Sequence, residues 1–162
     1  MGDHAPGNIQ VGGAPNKRRL ASLIQAFQKD GLGYDYGEFD TRFCMEGLQS
    51  QMDSHDDALM LFDDMMSMSG PWHTMKKCRQ FKLPFIVRID GKYEHSQGVW
   101  YWEQGMKEEK FESTINEHDQ VVELCRVLDV LDRHKDPHKA LRALRKVLPK
   151  PFPNVPDFEL PV

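Results

Sequence analysis

The chain has 162 residues, a formal net charge of −4 and 28% charged residues. A chain of this size buries about two thirds of the surface its unfolded form exposes, enough for one core and not for two. No apolar run approaches the roughly 18–20 residues of a membrane span, and the N-terminal segment lacks the apolar centre of a secretory signal, so the sequence reads as intracellular, cytoplasmic or in an organellar matrix, and not secreted.

Pro6 stands where a myristoylation signal carries Ser or Thr. The cysteines Cys44, Cys78 and Cys125 are far apart and show no paired spacing for zinc or redox work. No cofactor and no metal is expected. Charge is segregated: nine Asp/Glu face Arg42 alone between residues 35 and 64, and seven Lys/Arg face Asp136 alone between 133 and 150. Either these segments meet each other or each meets a partner of opposite sign.

In chain order, residues 1–15 are rich in Gly and Pro and read as a flexible N-terminal arm. Residues 16–148 read as a single α+β domain. Asn16 caps a helix with Leu20, Leu23, Ile24 and Phe27 on one face, ended by Asp30-Gly31. A helix weakened by Gly47 follows over 41–52, and Ser54 to Gly70-Pro71 predicts another whose apolar residues surround the cylinder.

Between about 72 and 112 the pattern becomes extended and predicts a small antiparallel β-meander packed against the helices. Its strands are expected near 85–89, 92–96, 99–104 and 106–112, perforated by glycines at 91, 98 and 105, with a further strand around 73–81. The longest helix is expected over 113–134 as the core's main helix, with Val121, Leu124, Cys125, Leu128 and Leu131 facing inward. Asp136-Pro137 opens a basic helix over 137–148. Residues 149–162 carry five prolines and read as an extended strap with aromatic and aliphatic anchors.

The chemistry-bearing patterns are sparse. Glu94, His95 and Glu103 beside Trp100 and Trp102 suggest a ligand site, but the alternation fits a half-buried strand without one. Two His-Asp pairs, in "SHDDAL" and "EHDQVV", invite comparison with a small metal-dependent hydrolase, yet they fall where helix N-termini collect acidic residues. His134 and His138 are four apart, with Asp136-Pro137 breaking the helix between them. Phosphate loops and nucleophile elbows are missing, and no catalytic residue is assigned.

Protein contact is therefore the leading expectation: a non-enzymatic structural subunit of a larger assembly. Its partner-binding residues are expected to be Phe152, Val155, Phe158 and Leu160 in the strap and Lys139, Arg142, Arg145 and Lys146 on the basic helix. The alternative is a nucleic-acid-binding accessory protein, with Arg142 and Arg145 on phosphates and Trp100 and Trp102 stacking on bases.

Overall fold

A computed structural model describes residues 4–35, 45–54, 57–91, 97–115, 119–120 and 122–161. It is an α+β fold with strands β1 (His4–Val11), β2 (Leu59–Ser67), β3 (Phe85–Ile89), β4 (Gly98–Trp102), β5 (Lys110–Ile115) and β6 (Asp119–Gln120). The helices are α1 (Lys17–Asp30), α2 (Met45–Ser54), α3 (Trp72–Phe81), α4 (Leu124–Arg133) and α5 (Pro137–Val147). The antiparallel sheet runs β2-β1-β3-β4-β5, and the two-residue β6 extends its last edge. Among the described residues no helix is long and apolar enough to cross a membrane.

The first correction concerns the N-terminal arm, which supplies an interior strand. Ala5, Gly7, Ile9 and Val11 point to the core while Pro6, Asn8 and Gln10 alternate to the other face. Proline lacks a ladder donor and is ordinarily kept out of interior strands. Here the pairing with β2 slips between Ala5 and Gly7, so Pro6 sits in the irregularity and its carbonyl accepts Asp90 N–H at 2.8 Å. At Gly7 a Cβ would come within 2.8 Å of the Arg88 carbonyl, so the glycine is required by close approach.

The segment expected as a helix over 54–70 is instead β2. Leucine and methionine favour helices, but Leu59 and Leu61 enter the main core while Met60 and Phe62 lie on the opposite sheet face. A strand with apolar side chains on both faces reads as a continuous apolar run, which hides its period of two. The expected strand at 73–81 is the helix α3. Its N-terminus has no local side-chain cap; the Asp30 carboxylate accepts His73 N–H at 3.2 Å and Thr74 N–H at 2.7 Å from the end of α1.

The meander survives as β3-β4-β5, with the expected 92–96 strand outside the described residues. β5 takes Lys110–Ile115, whose Phe, Thr and Ile suit a strand, and so shortens the long helix expected over 113–134 to α4. The face bearing Ile9, Val11, Leu59, Leu61, Phe85, Val87 and Trp102 is covered by α1 and α3, which lie side by side. Trp100 packs on Phe111 with ring centroids 5.0 Å apart. Gly98 makes room for that ring, since a Cβ there would stand 2.3 Å from it.

The strap is the second correction. Phe158 is 3% exposed within the main core, and Leu160 packs against the same cluster. Phe152 and Val155 pack on Ile86, Val99 and Tyr101 of the other sheet face, with Phe152 edge-on to Tyr101 at 5.5 Å. Backbone bonds fix this course: Gly13 N–H to Asp157 O at 2.9 Å and Glu159 N–H to Gly13 O at 3.1 Å. A Cβ at Gly12 would lie 2.1 Å from Pro156 O, so the Gly12-Gly13 pair is the seat on which the strap lies.

Candidate functional site

The third correction defines the most exposed apolar surface. In α4, Leu124, Val127, Leu128 and Leu131 fall on one stripe at helical spacing, but the helix has no buried residue. Leu124 is 70% exposed, Leu128 50% and Leu131 45%. The polar side holds two ion pairs, Arg126–Glu123 at 3.1 Å and Arg133–Asp129 at 2.6 Å. Cys125, expected inside, is exposed, and Val121 lies outside the described residues.

Helix α5 begins as the sequence indicates. Asp136 Oδ1 accepts His138 N–H at 2.8 Å and Lys139 N–H at 3.3 Å, and Pro137 occupies the first turn, where its missing N–H costs nothing. The helix packs on α4, with Ala140 buried and Leu144 and Val147 half-buried, and leaves Leu141 and Leu148 exposed. Lys139, Arg142, Arg145 and Lys146 are all exposed. Among the described residues no carboxylate pairs with these four cations, so the charge of α5 is directed to solvent.

The eight partner residues expected from sequence thus divide in two. The four cations stand together on one exposed helix. The four strap residues are spent on the protein's own sheet, because a proline-spaced chain with apolar anchors serves intramolecular docking as well as intermolecular docking. The leucines of α4 read as core in the sequence because an amphipathic stripe shows which face is apolar and not what covers it.

The tryptophans are also engaged. Trp100 is half-buried and its Nε1–H donates to Met68 O at 3.0 Å; Trp102 is 6% exposed and donates to Met106 O at 3.1 Å. Trp102 is thus taken into the core, and Trp100 is held between Met68 and Phe111. Cations that sequence reading passed over lie between α1 and α3, where Arg18, Arg19 and Lys77 border a cleft of about 440 Å³. Arg19 and Lys77 stand 5.7 and 5.5 Å from the Phe81 ring centre.

A larger cavity, about 610 Å³, opens on the second sheet face. Gln10, Met60, Phe62, Ile86 and Arg88 form its floor, and the strap from Pro153 to Asp157 lies along its side. Arg88 Nη1 donates to Gln10 Oε1 at 2.8 Å. Burial pulls the guanidinium below the ordinary arginine value, and no carboxylate among the described residues pairs with it. Its register neighbours, Asn8 and Val99, are neutral.

Tyr101, on the same face, donates to Glu112 Oε1 at 2.7 Å; burial first and then this bond push its phenol up to about 12. Cys78 is fully buried and burial raises its thiol, which makes it inert. Among the described residues no group of three or more His, Cys, Asp or Glu could hold a metal ion. His55, Asp56, Glu94, His95 and His118 lie outside the described residues, and His134 and His138 flank the junction between α4 and α5. The chain matches no protein-family model, no curated protein and no solved structure.

Proposed function

We propose that this chain is a non-enzymatic interaction subunit of a larger protein assembly, and that the α4–α5 hairpin is its docking element. The observation that carries this reading is the exposure of Leu124, Leu128 and Leu131 on α4, Leu141 on α5 and Leu148 just after it, both helices being strongly amphipathic. An exposed apolar stripe such as that of α4, bordered by charge, marks a surface that another molecule covers.

The occupant is another protein presenting an amphipathic helical surface with acidic residues at its margin. Charge favours this over a face-to-face pair of identical hairpins, which would bring two sets of Lys139, Arg142, Arg145 and Lys146 to one rim. Apolar contact supplies affinity, and the cations set approach and register. Nucleic acid is less well supported, because Trp100 and Trp102 are engaged in the fold.

A photo-crosslinking residue in place of Leu128, introduced in cells that make the protein, is expected to attach to a different polypeptide with an acidic surface. Leu128→Glu combined with Leu131→Glu should abolish that association while leaving thermal unfolding unchanged. Attachment only to a second copy would make the face a self-contact, and a monomer that attaches to nothing would overturn the reading.

A further inference from the structure

Among the described residues that line the 610 Å³ cavity Arg88 is the one cation, and its environment differs from that of the exposed lysines and arginines elsewhere. Half-burying a guanidinium costs free energy unless an anion meets it. Gln10 engages one of its nitrogens, and its register partners on the sheet, Asn8 and Val99, carry no charge. The remaining donors form a planar fork, the geometry that matches a carboxylate.

The rest of the lining describes the remainder of a ligand. Met60, Phe62, Ile86 and Val155 offer apolar surface for a hydrocarbon or aromatic body, and the volume lies in the range usual for small-molecule sites. Asp57 and Asp157 line the same cavity without pairing with Arg88, and they disfavour a ligand that brings more negative charge than Arg88 neutralises. The geometry points to a binding site for a small organic monocarboxylate, its carboxylate on Arg88 and its apolar body between the sheet and the C-terminal strap. This site is separate from the α4–α5 docking face and does not depend on it.

The strap gives the site a structural consequence. Residues 153–157 both border the cavity and lead into Phe158, whose seating closes the core. A ligand held there touches the sheet and the strap at once, so occupancy raises thermal stability by mass action.

The test uses the intact protein with 4-phenylbutyrate, 4-phenylbutyramide and phenyl phosphate as probes, followed by calorimetric titration and by the NMR signal of the Arg88 side-chain Nε–H. Binding of 4-phenylbutyrate with a shift of that signal is expected, weaker by at least about tenfold for the amide, which cannot form the charged pair. Arg88→Gln should lose the same factor, and Arg88→Lys should recover part of it. Equal binding of acid and amide by the unmodified protein would overturn the proposal without any variant. So would the absence of binding by 4-phenylbutyrate, or phenyl phosphate binding as tightly as the carboxylate.

Discussion

Helices α1 and α4 carry comparable stripes of leucine at helical spacing, yet Leu20, Leu23 and Phe27 of α1 are at most 1% exposed while Leu124, Leu128 and Leu131 of α4 are at least 45% exposed. α1 lies on the sheet beside α3, whereas among the described residues α4 packs mainly on α5. A helix gains most of its stability from what its apolar face is pressed against. The same pattern therefore supports the fold in one place and offers a contact surface in the other, and the difference separates residues needed for folding from those available for binding.

The largest expected effects sharpen that contrast. Phe158→Ala should cost about 3–5 kcal/mol and Leu23→Ala about 2–5 kcal/mol by denaturant unfolding, because each leaves a cavity in the core. Leu128→Ala should stay within about 0.5 kcal/mol, as surface changes do. A Leu128→Ala cost equal to that of Leu23→Ala would mean that α4 is packed on the body and would break the comparison.

An intermediate effect concerns how the two covering helices are joined. Asp30 ends α1 and its carboxylate caps α3, so Asp30→Ala should destabilise the body by roughly 0.5–2 kcal/mol, and Asp30→Asn by less. Equal stability of Asp30→Ala and the parent in urea would show that water replaces the cap.

The smallest effect depends on pH. Burial raises the Asp63 carboxyl above its ordinary 3.8, against the hydrogen bond it accepts from Met65 N–H. The folded state then holds this proton more tightly than the unfolded state, so its contribution to stability falls as pH rises from about 3.8 through the raised value and is level above it. Asp63→Asn should remove that slope and leave the protein slightly more stable at neutral pH. A difference between variant and parent that does not change with pH would contradict it.

Much of the local structure was legible in the residues. Asn16 as a cap, Gly31 as a left-handed stop, Asp136-Pro137 as a helix start, and the alternation at Phe85–Ile89 all act within a few residues of themselves. The basic face of α5 was legible for the same reason. Elements that depend on distant partners were not. β1 looked like a loose arm because its Gly7 and Pro6 serve a neighbouring backbone and a register slip, and β2 looked like a helix because it carries apolar side chains on both faces. The Arg88 cavity left no sequence signal, since its lining comes from β1, α2, β2 and the residues before it, β3 and the strap, which are far apart in the chain.

The sequence by itself determined the α+β class, the caps and turns, the meander of β3 to β5, and the segregation of charge, all consequences of short-range backbone preference and periodicity. Only the tertiary structure decided that the two ends of the chain meet through Gly13 and Asp157, that the strap is bound to its own sheet, and that the leucines of α4 remain uncovered. Burial is a property of pairs of surfaces, and an amphipathic segment specifies only one of the two.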